Sequence, residues 1–197
     1  MATCDCSIPY EPMQVHFKPL LATGATNPAA VYYISDNIID WDLAPEIEAG
    51  KSLPLRCGGR LKNKLESQDT LTGSTLKLSF CCEDPEIQYV IGGSVGMITY
   101  DSSSPPCAIG YDAPTPAQQV NALDFEVRLY LAIVSGSSIT KYKELHFYQC
   151  LPAFFAEGGG QEEYPSISVS IKTVDNPNYS PAKPFMTWKT LAAIPTS

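Results

Sequence analysis

Seven cysteines, two histidines and a few close carboxylate pairs are the side chains of this chain that could do chemistry. The thiols are Cys4, Cys6, Cys57, Cys81, Cys82, Cys107 and Cys150. A structural zinc site usually spaces two cysteines two to four residues apart, or pairs them with histidines. Here Asp5 alone separates Cys4 from Cys6, and Cys81 directly precedes Cys82. Adjacent residues of a strand point to opposite faces, so Cys81 and Cys82 do not converge on one ion. His146 shares a strand face with Glu144, but no G-x-S-x-G elbow accompanies either histidine. A strand histidine turned to solvent or to a subunit contact is the expected role. Glycosidases use two carboxylates, and Glu162-Glu163, Glu83-Asp84 and Asp40 with Asp42 are the pairs available. Acidic pairs in loops are far more often simply solvated. The Gly158–Gly160 run lacks the lysine and helix of a phosphate loop. Asn178-Tyr179-Ser180 matches a glycosylation sequon, which carries no weight without a secretion signal. The expectation is therefore no catalytic residue, no metal site and no cofactor.

The elements that would position these residues are mostly strands. Thr75 to Cys82 alternates, with Leu76, Leu78 and Phe80 on one face and Lys77 and Ser79 on the other. Asp124 to Ser135 alternates Phe125, Val127, Leu129, Leu131 and Ile133 against Glu126, Arg128 and Tyr130, and with Ile139 to Gln149 it forms a long hairpin turning at Ser135-Gly136-Ser137. Tyr164 to Val174 sets Ile167, Val169 and Ile171 against Ser168, Ser170 and Lys172. Val31 to Ile39 and Trp41 to Ile47 read as extended, broken near Asp36-Asn37. Lys51 to Leu61 reads as one strand bent at Gly58-Gly59. One helix is specified: Asp84 is its N-cap, Pro85 its first residue, and Glu86 complements the dipole. Ile87, Val90 and Ile91 form its apolar face and Gly92-Gly93 ends it. Residues 1–30 read as an irregular arm with a short strand at Met13 to Phe17. Residues 31–175 read as the main domain. The proline-rich segment 176–197 holds one edge strand at Phe185 to Lys189. The expected fold is mainly β, a two-sheet antiparallel β-sandwich or barrel with one short flanking α-helix.

At 197 residues, with 44% hydrophobic and 17% charged residues, the chain has enough apolar sequence for its own core. Its 17 prolines favour strands and loops over long helices. The net charge of −8 argues against tight nucleic-acid binding. It suits a surface past which DNA slides without sticking. Met1 to Tyr10 has neither the basic nor the apolar region of a signal peptide, and no apolar run approaches a membrane span. Folding in a cytoplasm is expected, and a reducing cytosol keeps the thiols free there.

From about Ile38 to Pro114 the order of elements is distinctive. An extended Trp41 to Glu48 segment leads to LRCGG at Leu55 to Gly59. Then come LTGSTLKLSFCCEDPEIQYVIGG, from Leu71 to Gly93, and GYDAP, from Gly110 to Pro114, which reads as a turn. In this order the chain resembles the major tail, or tail tube, proteins of long-tailed, siphovirus-like bacteriophages. The resemblance implies a structural virion protein and not an enzyme, located in the tail and assembled in the host cytoplasm. It implies two antiparallel sheets with a flanking helix and hexameric rings stacked into a tube. It further implies contacts with the tape-measure protein and the tail terminator and tip proteins, transient passage of DNA, and no membrane. A hairpin loop toward the next ring would comprise Asn63, Lys64, Glu66, Ser67, Gln68, Asp69, Thr70 and Thr72. Glu66, Asp69 and Glu83 would present acid to the lumen. Cys4, Cys6, Cys81 and Cys82 are the candidates for intersubunit pairing after release, set against the more frequent outcome of seven reduced, mostly buried thiols. A carbohydrate-binding or tail-tip β-sandwich is the alternative, with Tyr130, Tyr142 and Tyr148 as its platform. A small hydrolase would need a site that these residues do not assemble.

Overall fold

The computed structural model describes residues 10–49, 52–57, 60–66, 69–135, 138–158, 166–179 and 181–195. In chain order the elements are β1 (Tyr10–Pro19), β2 (Tyr33–Ser35), β3 (Ile38–Glu48), β4 (Ser52–Cys57), β5 (Arg60–Glu66) and β6 (Thr70–Phe80). Then follow α1 (Pro85–Ile91), β7 (Met97–Tyr100), β8 (Ala108–Asp112) and α2 (Pro116–Gln119). The chain continues with β9 (Phe125–Ser135), β10 (Ser138–Cys150), β11 (Ala156–Gly158), β12 (Ser166–Thr173) and β13 (Met186–Leu191). The protein is mainly β, and every strand pair is antiparallel.

Hydrogen bonding joins nine strands into one path, β2-β1-β9-β10-β12-β6-β3, with β11 on β12 and β13 on β10. A two-sheet sandwich or barrel was expected, and here the strands of both halves belong to one continuous sheet. The joint is a single pair, Cys150 with Thr173, where β10 hands over from β13 to β12. The two halves bury one core. Val15, Phe17, Phe125, Val127, Leu129 and Phe147 come from one half, and Leu76, Leu78, Phe80, Val169 and Ile171 from the other. At about 25 cal/mol per Å² of apolar surface removed from water, such a cluster dominates stability.

Strand alternation explains most of this. Leu76, Leu78 and Phe80 are buried while Lys77 is exposed. Ile167, Val169 and Ile171 are buried while Ser168, Ser170 and Lys172 are exposed. Helix α1 forms where its caps predict. The Asp84 carboxylate accepts from the backbone N–H of Glu86 at 3.0 Å and of Ile87 at 3.3 Å. Ile87, Val90 and Ile91 face the core. Asp84→Ala leaves two helix donors without partners and is expected to cost about 1 kcal/mol, read as a shift in the urea midpoint at constant slope.

Four features depart from expectation. The strand expected at Met13 to Phe17 is present but longer, and it belongs to the sheet and not to an arm: β1 pairs with β9 from Tyr10 to Pro19 and buries Val15 and Phe17. A bulge between Pro12 and Gln14 breaks its period and hides its first residues in the sequence. Segment 51–61 is not one strand, because β4 and β5 fold back on each other as a hairpin. Its bend at Gly58-Gly59 lies outside the described residues. Gly110 to Asp112 belongs to β8, paired with β7, and is not a turn. A second helix, α2, follows Thr115. Its signal was in the sequence: Thr115, then Pro116, then Gln118, whose side chain accepts from the Thr115 N–H at 2.8 Å.

Candidate assembly surfaces and a buried polar cluster

The ribbon formed by β3 and β6 runs past the sheet. Glu48 pairs with Thr70, and Ser52 then pairs with Glu66 in the β4–β5 hairpin. Among the described residues, strands β4 and β5 pair only with each other. Of the residues expected in a ring-stacking loop, Asn63, Lys64 and Glu66 are therefore strand residues of β5, and only their strand placement is described. Ser67 and Gln68 lie outside the described residues. Thr70 and Thr72 belong to β6, and the Thr72 hydroxyl donates to the Glu46 carbonyl at 3.2 Å. Asp69 is exposed between β5 and β6.

The acidic candidates do not converge. Asp69 precedes β6 and Glu83 follows it, so an eleven-residue strand, about 36 Å long, separates them. Both are exposed. Acid collects instead on β3, where Asp40, Asp42 and Glu48 are exposed and Glu46 meets the Lys172 ammonium at 2.8 Å. Among the described residues, strand β3 pairs only with β6, which leaves its other edge without a partner strand there. On the outer face of β3, β6 and β12 a shallow groove of about 350 Å³ is lined by Asp40, Asp42, Lys77, Ser79 and Ser170.

Cysteines give a mixed picture. Cys4 and Cys6 lie outside the described residues. Cys81, Cys82 and Cys107 are exposed and free, and Cys150 is buried and free. Burial pushes the Cys150 thiol well above its ordinary range, which keeps it protonated and inert. The expectation of mostly buried thiols fails for three of these four, because Cys81, Cys82 and Cys107 lie in turns and loops outside the sheet. Among the described residues no three histidine, cysteine or acidic side chains are grouped to hold a metal ion.

The second face of β9 holds what the sequence did not suggest. Register places Gln14, Tyr130, Glu144 and Lys189 in one row across β1, β9, β10 and β13. The next row is His16, Arg128, His146 and Thr187. Lys18 faces Glu126 in a third. Four of these polar groups are buried: Glu126 is 0%, Glu144 1%, His16 2% and His146 8% exposed. His146 was expected at solvent or at a subunit contact. It is instead covered, with its Nε2 3.5 Å from Glu126 and its ring against Tyr148.

Glu126 is the hub. Tyr32 donates its hydroxyl proton to Oε1 at 2.7 Å, and the Arg128 guanidinium stands 3.3 Å from the same oxygen. Burial works to raise this carboxyl's pKa. His146, Tyr32 and Arg128 together outweigh burial and hold it below its ordinary value. His16 is driven down to about 4, mainly by burial and then by Arg128. Tyr130 is pushed up to about 12 by burial and the nearby Glu144. Tyr32, brought in from the loop before β2, caps this cluster, with Lys18 and Arg128 over its ring at 4.8 and 4.9 Å. The arrangement is a hydrogen-bonded anchor between distant segments. The burial of Tyr130 and Tyr148 removes two of the three aromatics expected for a carbohydrate platform.

Comparison with known families finds no match to any family model, and comparison with curated proteins finds no match either. No helix among the described residues is long and apolar enough to cross a membrane.

Proposed function

We propose that this chain is a structural virion subunit that assembles into hexameric rings stacked as a bacteriophage tail tube. The observation that carries the reading is the β3–β6 ribbon and the hairpin that follows it, which among the described residues pairs with no other strand. A two-stranded ribbon standing alone is marginal in water and gains stability when another surface covers it. Free strand edges are a similar liability, relieved by ring closure through heterologous contacts. The chain presents such edges at β2, β3 and β13. On this reading the subunit has no catalytic role. Its partners are copies of itself, the tape-measure protein and the tail terminator and tip proteins. DNA passes without binding, in keeping with the net charge of −8. The carbohydrate-binding alternative lacks its aromatic platform. Negative-stain electron microscopy of the concentrated protein, alone and with nucleating tail components, is expected to show stacked rings. A strictly monomeric mass under both conditions overturns the proposal.

A further inference from the structure

The free edge of β3 is blocked at successive positions. Alternate residues of an antiparallel strand turn their N–H and C=O groups to opposite neighbours. Trp41 and Leu43 turn theirs away from β6. Their N–H groups donate to side chains instead: Trp41 to the Asp40 carboxylate at 2.8 Å, and Leu43 to the Asp42 carboxylate at 2.9 Å. Pro45, two residues on, has no N–H. Irregular register between Ile38 and Asp40, and between Glu46 and Ile47, bounds the stretch at both ends. Charged side chains, proline and bulges are the devices by which sheets avoid pairing with stray edges. Carboxylates differ from proline in one respect: they can swing away.

We propose that Asp40 and Asp42 cap the β3 edge in the isolated chain, and that a second copy pairs there by displacing them. The inference rests on the reading of the chain as a self-assembling subunit. The strand that fits is β13 of the second copy. It is an edge strand of six residues with no proline and no carboxylate. It carries an exposed Trp188 and an exposed Lys189, whose ammonium, 3.3 Å from the buried Glu144 of its own chain, would be shared with the incoming edge. The β3 strand carries Asp40, Asp42, Glu46 and Glu48 and no lysine or arginine, so the two edges are complementary in charge.

Two double variants separate capping from charge. Asp40→Asn with Asp42→Asn removes the charge and keeps a side-chain oxygen to accept from the N–H. Asp40→Ala with Asp42→Ala removes both. Assembly of the full chain is followed by light scattering. Amide exchange at Trp41, Leu43 and 186–191 is read in monomer and assembly. The alanine variant is expected to assemble with a lag roughly tenfold shorter than the asparagine variant, as two competing hydrogen bonds disappear. Its monomer should exchange Trp41 and Leu43 faster than wild type. Assembled wild type should protect these amides together with 186–191. Equal lags for the two variants, or an alanine variant that stays monomeric at every concentration, overturn the proposal. Protected β3 with unprotected β13 overturns the choice of partner strand. Rings that form with Trp41 and Leu43 unprotected overturn the capped edge and leave the tube reading standing. Oligomers that protect β3 but never form rings do the reverse.

Discussion

Glu126→Ala is expected to destabilise the protein by about 3 kcal/mol, as for one partner of a buried ion pair removed. The carboxylate is wholly buried, and alanine leaves the Arg128 guanidinium and the Tyr32 hydroxyl without their acceptor. Glu126→Gln keeps an acceptor for Tyr32 and should cost less. The same cluster is expected to weaken the fold in acid. His16 has a folded pKa near 4 against an ordinary 6.5, so the folded state holds it neutral while the unfolded chain takes up a proton first. Its contribution is complete above pH 6.5 and disappears as pH falls toward 4, roughly 2–3 kcal/mol in all. Glu126, held below its ordinary 4.5, contributes above that value and loses its contribution as pH falls through its lowered folded pKa. Both effects run the same way. Urea midpoints should fall between pH 7 and pH 4 and fall further below it. His16→Gln should flatten the first window and leave the second. A flat wild-type profile from pH 7 to 4 would show that His16 is not held neutral.

What the sequence makes legible is local. Asp84-Pro85-Glu86 before an apolar run states a helix start, and the caps form. Clean alternation states β6, β9 and β12. The polar cluster was illegible because its cause is remote. Phe125, Val127, Leu129 and Leu131 alternating with Glu126, Arg128 and Tyr130 read as one dry and one wet face. Both faces of β9 are in fact largely buried, because Tyr32, 94 residues away, folds over the second one. No periodicity announces that. The acidic character of β3 was visible in Asp40 and Asp42, but their role depends on β3 being the last strand of the sheet, a fact of topology. The hairpin was half legible. Gly58-Gly59 marks a change of direction, and a bend and a reversal carry the same glycine signal.

On the proposed reading, excising residues 50–68 and joining 49 to 69 through Asn-Gly is expected to leave a folded protomer that forms no tubes. The geometry of the cut is favourable. Glu48 and Thr70 are already register partners, so the new ends lie side by side and a two-residue turn closes them. Strands β4 and β5 contribute no ladder pair to the nine-stranded sheet, so its hydrogen bonds survive the cut. The excision must stop before Thr70. Thr70, Leu71 and Gly73 pair with β3, and a Cβ on Gly73 would collide with the Thr173 carbonyl. A deletion reaching Gly73 would therefore test folding and not assembly. Far-ultraviolet circular dichroism and the urea midpoint should stay near wild type. The critical concentration for polymerisation should rise at least about tenfold, the effect of losing 1.4 kcal/mol of contact per subunit. Tubes of normal length from the shortened chain would place the contact between stacked rings elsewhere, and unfolding of the variant would assign the hairpin a role in the protomer itself.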